Sequence, residues 1–335
     1  MADPTYATVE QLQAAADYKP TAFESARLQR IVTAASRRIE LRLHRHFYPL
    51  TETVTYTRPT LARPRTSTSA GFFLNRDLIT LTTVTVDDTT KTVADIETWP
   101  SQHGPPFSWV GVTGSDIVIV ADWGFSNDTT PAGALAEALD TTETGVNVTD
   151  SSSVGVGDLV IVESERMIVT AKVQLDIAQN IQANLTKDTA VVTVAVEDGT
   201  AVFPGEALLV NAEEMLILAI SSNNVTVKRA WNGSVLAAHT SGDDIFAPRT
   251  LTVERGAVGT TAATHDDAKA VTRNLPPAAI TDLCIAEAIN TYEQETAGYA
   301  RTVGAGETQR EARGAGLADA RQEATGYLRA RAAAV

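Results

Sequence analysis

The residues of this chain that could do chemistry are few: five histidines, one cysteine and a set of closely spaced glutamates. His44 and His46 flank Arg45, a spacing that could hold a metal from a strand but points the two rings apart on a helix. Glu163, Glu165, Glu213 and Glu214 could be paired carboxylates for acid and base work, yet alternation along a half-buried strand explains them without chemistry. His239 and His265 occupy equivalent places in an internal repeat and read as structural elements of each copy. Cys284 lies on the apolar stripe of a helical segment and reads as inert core. No phosphate loop, H-E-x-x-H, G-x-S-x-G or Cys/His cluster occurs, so no enzyme, metal or cofactor is expected. The N-x-S/T triplets opened by Asn127, Asn147, Asn184, Asn224 and Asn232 carry no meaning in a chain that never meets the glycosylation machinery.

Charge is densest on the segment 23–47. Arg27, Arg30, Arg38, Arg42 and Arg45 gather on one helical face with Arg37 at its edge, and Glu40 is the only acid between Arg27 and Arg45. One reading is a solvated face that pairs with carboxylates. The other is an intersubunit or channel surface, because the planar guanidinium fork suits a neighbour's carboxylates or brief phosphate contact.

The elements that must position these residues follow from periodicity. Leu28, Ile31, Val32, Ala35, Ile39 and Leu43 recur at helical spacing, which predicts a long amphipathic helix. Thr8 to Tyr18 predicts a short helix before it, with Thr8 and Gln11 as a capping box. After Pro49 the period changes to two, which predicts strands around Val54 and Tyr56, Phe72 to Leu74, Leu78 to Val86, Lys91 to Val93 and Ile117 to Ala121. Arg58 to Ala70 reads as a long exposed loop with a mobile tip. Pro276 and Pro277 open a further helix, Ala278 to Thr296, with Ile280, Leu283, Cys284, Ala288 and Tyr292 buried. The alanine- and arginine-rich end, from Glu307, is expected to order only against a partner.

Between these blocks the sequence repeats itself. Val148 to Met167 aligns without a gap on Val196 to Met215, and Val225 to His239 on Leu251 to His265, with Glu165/Glu213, Arg229/Arg255 and His239/His265 among the identical pairs. The order of halves predicts one small β-module nested inside another, with tandem modules as the other topology. Ala171 to Leu185 is read as a helical junction. The segment is expected to fold locally and to be replaceable by a short linker.

The 335 residues are enough for two domains, and 44% hydrophobic with 20% charged residues marks globular material. A net charge of −14 argues against gripping nucleic acid by wholesale phosphate neutralisation. One cysteine excludes a disulfide framework and suits synthesis in a reducing cytoplasm. The first residues lack a signal-peptide pattern, and no apolar run is long enough to span a membrane.

The segments VEQLQAAADY, ARLQRIVTAASRRIELRLHRHFYP, LITLTTVTVDD and DIVIVADWGF, with the Pro-Pro-initiated closing helix, together resemble the head-to-tail connector (adaptor) proteins of long-tailed bacteriophages. The resemblance covers residues 5–125 and 275–300 and rests on the order of elements. It implies a structural virion protein at the head-tail junction, made in the host cytoplasm, whose helical core forms a twelve-fold homo-oligomeric ring. The ring would join the portal protein to stopper or tail proteins and continue the DNA channel, touching double-stranded DNA only transiently. The end of the chain, with Leu317, Tyr327 and Leu328, would reach the portal. The expected fold is α+β: a helical connector core with a small β-strand block (1–130), an inserted all-β domain of two nested repeats (131–272), and a closing helix with a partner-binding tail (273–335). The rival readings are a β-repeat adhesin or carbohydrate-binding module, and a hydrolase using the insert's carboxylates.

Overall fold

The computed structural model describes residues 3–16, 22–62, 64, 69–100, 104–296, 302–303, 310–311 and 316–329. Residues 17–18 of the first expected helix, 63 and 65–68 of the expected loop, and 307–309, 312–315 and 330–335 of the expected tail lie outside these.

Helix α1 (Val9–Ala16) is capped reciprocally: the Thr8 backbone N–H donates to Gln11 Oε1 (2.9 Å) and the Gln11 N–H to Thr8 Oγ1 (3.1 Å). Helix α2 (Ala22–Leu43) buries the stripe from Leu28 to Leu43, and α3 (Ala278–Thr296) sets Ile280, Leu283, Cys284 and Ala288 against it. Helix α4 (Leu317–Glu323) and a 3-10 turn, Ala324–Tyr327, close the layer. Leu317 and Ala324 are buried in the same cluster, and the Tyr327 ring meets Phe47 and Phe125 at 5.9 and 5.4 Å.

Strands β1 (Leu50–Thr57), β2 (Phe72–Val86), β3 (Thr89–Lys91), β4 (Thr98–Trp99), β5 (Phe107–Val110) and β6 (Asp116–Trp123) form a six-stranded antiparallel sheet. Its order is β1-β6-β2-β5-β4, with β3 folded back on β2. Asp87 and Asp88, both at positive φ, make that two-residue turn.

A second antiparallel sheet has ten strands: β7 (Thr129–Ala134), β8 (Gly145–Asn147), β9 (Leu159–Val162), β10 (Glu165–Asn180), β11 (Thr193–Ala195), β12 (Ala207–Val210), β13 (Glu213–Ser221), β14 (Asn224–Lys228), β15 (Asp244–Glu254) and β16 (Ala270–Asn274). The long pair β10 and β15 runs through its middle from Ile168 opposite Glu254 to Asn180 opposite Asp244, with three shifts of register on the way. On one half lies a cluster of outer-module residues including Val162, Met167, Val253 and Val271. On the other lies an inner-module cluster including Val210, Met215, Val227 and Ile245.

The fold expectation needs correction. Strands take up 40% of the described residues and helices 22%, in two large antiparallel sheets, so the protein is not a helical core with a small β block. The segment 171–185 shows why. Val173, Leu175 and Ile177 alternate with Lys172, Gln174 and Asp176, a period of two, and most of this stretch is the far half of β10 rather than a helix. The short strand segments read around residues 72–86 likewise merge into a single bent strand, β2.

The outer module is tied to the helices and the first sheet. Leu159, Ile168, Ala257 and Val258 belong to the buried cluster of α1, α2 and α3. The Thr51 N–H donates to Val258 O (2.9 Å), and Arg166 forks onto Asp122 of β6, Nη2 to Oδ2 at 2.8 Å. Only glycine fits at Gly259: its φ is +84°, and an added Cβ would lie 1.9 Å from Thr51 O.

Candidate functional site

The arginine face of α2 meets acids of the same chain. Arg27 and Arg30 converge on Glu295 of α3, at 3.1 and 2.8 Å. Arg45 and Arg329 share Asp77 of β2, at 3.3 and 2.8 Å. Arg37, at the edge, pairs with Glu40 and Asp3. Arg38 and Arg42 are held more loosely. Their guanidinium nitrogens lie 4.0 and 3.9 Å from the buried Glu287, which already receives Arg321 Nε at 2.8 Å and Nη2 at 2.7 Å.

These groups line a cleft of about 590 Å3 between α2, α3 and α4, with Leu41 and Leu317 on its walls. Three guanidiniums around one carboxylate leave an excess of two positive charges. Leu41, 76% exposed, stands between Arg38 and Arg42 on the rim. A large apolar side chain framed by half-exposed guanidiniums can dock a carboxylate-bearing protein surface or touch phosphates. Of the tail residues expected to face a partner, Leu317 and Tyr327 pack into their own chain and Leu328 is 51% exposed.

The repeat residues come together in two equivalent buried clasps. In the outer module Arg255 donates to Glu165 through Nε (2.7 Å) and Nη2 (2.8 Å). His265 Nε2 lies 2.9 Å from Glu165 Oε2, and the Gly256 and Ala263 N–H groups complete the shell at 3.0 Å. In the inner module Arg229, His239, Ala230 and Ala237 surround Glu213 in the same way, at 2.7–3.0 Å. The Glu165 clasp is thus closed by the last stretch of the repeat region and the Glu213 clasp by the stretch before it, one set within the other.

Burial would raise these two carboxyls, but the guanidinium, the two backbone donors and the imidazole outweigh it and hold each at about 2. With every carboxylate oxygen engaged, neither glutamate is available as a base. His265 Nδ1 also faces Glu163, at 2.9 Å, so both ring nitrogens meet carboxylate oxygens.

Glu206 joins the modules: it takes Arg249 Nε and Nη2, both at 2.8 Å, and the Ser151 N–H at 3.1 Å. Its outer counterpart, Asp158, has only Arg273 at 3.8 Å and the Gly155 N–H, and burial pushes its carboxyl up to about 6.

The other candidates have structural surroundings. His46 Nε2 sits 3.1 Å from Trp123 O, and burial lowers its pKa; His44 adopts φ +55° at the end of α2. The Cys284 thiol is fully buried beside Ser36 Oγ at 3.4 Å and is pushed up to about 11. Among the described residues no group of three His, Cys, Asp or Glu side chains could hold a metal, and no helix is long and apolar enough to cross a membrane.

Sequence reasoning named the clasp histidines and glutamates but missed Arg229 and Arg255 as their partners. The signal was present in the identical pair Arg229/Arg255. Compared with protein-family models, curated proteins and solved structures, the chain matches none.

Proposed function

We propose that the chain is a structural virion protein, a head-to-tail adaptor whose copies close into a ring between portal and tail and line part of the DNA channel. The observation that carries this reading is the rim of the α2 cleft. Leu41 is exposed on a helix whose opposite face is fully packed, and it is flanked by Arg38 and Arg42, which hold no close ion pair of their own. Isolated exposed leucines are ordinary, but one framed by guanidiniums over a cationic cleft fits a protein contact with an arginine rim. The chain's net charge of −14 supplies acids for a neighbouring copy to present there, and the same charge keeps a channel wall from holding DNA phosphates.

Native mass spectrometry of the purified protein, or end views of particles, should show a closed ring, taken as twelve subunits from the resemblance. Replacing Arg38 and Arg42 together by Gln should change fold stability by less than about 1 kcal/mol, because exposed pairs contribute little. Ring yield or tail attachment should fall. A double variant that assembles and carries tails at wild-type yield would sink this reading.

A further inference from the structure

A second cleft, about 980 Å3, lies where α1 and α2 face the two modules. The repeat explains why it is open. In the outer module the face carrying Arg166, Ala257 and Val258 is covered, since Asp122 takes Arg166 and Ala257 and Val258 join the helical cluster, while Val156 stands at the cleft edge and gives its N–H to Glu10 (3.0 Å). The inner module presents the equivalent face to the cleft with every one of those residues changed. Pro204 stands for Val156 and has no N–H to give, Glu214 stands for Arg166, and Trp231 and Asn232 stand for Ala257 and Val258. Glu214, Trp231 and Asn232 line the cleft.

The polar lining is rich in amides and hydroxyls. Gln29 Oε1, Gln174 Oε1 and Asn232 Oδ1 are sealed from water with no donor, and all three side chains line this cleft. Glu10 and Glu214 add acceptor oxygens, and burial raises the Glu214 pKa. The two cations on the wall are engaged elsewhere: Lys172 Nζ donates to Ser151 O (3.0 Å) and Val154 O (2.7 Å), and Arg273 faces Asp158. The carboxylates of Glu10 and Glu214 disfavour an anionic ligand, while the amides and the Ser25, Ser152 and Ser153 hydroxyls on the wall can both donate and accept.

We propose that this cleft binds a neutral, hydroxyl-rich ligand, an uncharged oligosaccharide, whose hydroxyls donate to the Gln29 and Gln174 amide oxygens and whose ring edge meets the part of the Trp231 indole that reaches the cleft, the indole being 8% exposed with Lys228 Nζ over its ring at 4.9 Å. The Gln29 and Gln174 amides reach the ligand by rotation about their terminal torsions, which are broad, whereas the Asn232 amide is held by its Nδ2 donating to Glu214 Oε2 (2.7 Å). The volume is at the upper end of small-ligand sites and suits about two or three sugar units. The site is complete within one chain, so it does not depend on ring formation.

The test is titration of the full-length protein with neutral trisaccharides built from glucose, galactose or N-acetylglucosamine, followed by calorimetry and intrinsic fluorescence. At least one should bind and change the tryptophan emission. Trp231→Phe should abolish the emission change. Gln174→Ala, at a side chain outside both module cores, should weaken binding about tenfold, the effect of one hydrogen bond to a buried acceptor. A sulfated analogue of the bound sugar should bind at least about tenfold more weakly. The proposal fails if none of the neutral sugars binds, if Gln174→Ala and Trp231→Phe both leave binding unchanged, or if the sulfated analogue binds equally well. It also fails if Trp231 emission responds to protein concentration alone, which would mark the cleft as a contact between copies.

Discussion

Glu165 and Glu213 each receive a forked guanidinium, an imidazole and two backbone N–H groups, so losing either carboxylate strands a buried arginine. Glu213→Gln is expected to destabilise the protein by about 3–5 kcal/mol, measured from urea midpoints, as for one partner removed from a buried ion pair. The pH dependence has two opposing parts. Because the two glutamates are depressed from 4.5 to about 2, their stabilisation is present above 4.5 and is lost as pH falls from there toward 2. Asp158 is raised from 3.8 to about 6, so the folded state holds its proton more tightly and stability falls as pH rises from 3.8 to 6. Asp158→Asn should therefore flatten the upper slope, while Glu213→Gln flattens the lower one. An unchanged midpoint in either window would contradict the corresponding assignment. The clasp was half legible in the sequence, since identical residues at matched places point to a shared structural role. Which oxygen meets which nitrogen was not, because that depends on strand pairing between residues as far apart as Glu165 and Arg255.

Strands β10 and β15 are the elements that hold the two modules together, and the chain enters and leaves the inner module at partners in register, Asn180 and Asp244. Joining these two through an Asn-Gly turn, with Arg249→Gln to remove the cation that loses Glu206, should give a shorter protein with unchanged helical circular dichroism. Loss of the helical signal or insolubility would show that the inner module supports the rest. Replacing the whole of 131–272 should behave differently, because it takes Leu159, Ile168, Ala257 and Val258 out of the helical cluster. The repeat was readable from its identities. The docking of its outer copy was not, because Ala257 and Val258 look like any small apolar pair until the face they meet is known. The misreading of 171–185 had a local cause: alanine and glutamine favour helix, and they masked the alternation of Val173, Leu175 and Ile177.

At the scale of the whole molecule, the sequence showed the helices through their apolar stripes and several strands through alternation. It understated the sheets, since strands recognised one at a time give no count of the ladders they join. The arginine face was also legible as a pattern, but its acids lie on Glu287, Glu295 and Asp77, remote in sequence and brought close only by folding. The nesting also has a mechanical side. A pull on the two ends of the repeat region first parts β7 from β16, whose Pro131 and Thr272 face each other, and β16 from β9, and then loads β10 at Glu165 and β15 at Glu254, which lie at the same end of their shared ladder. Force therefore opens that ladder like a zipper from the outer clasp inward, and the inner module bears no tension until the outer one has given way. In an optical trap with handles at Pro131 and Thr272, the outer module should rupture first in every trace, leaving the inner module as a tethered bead shielded by its own enclosure.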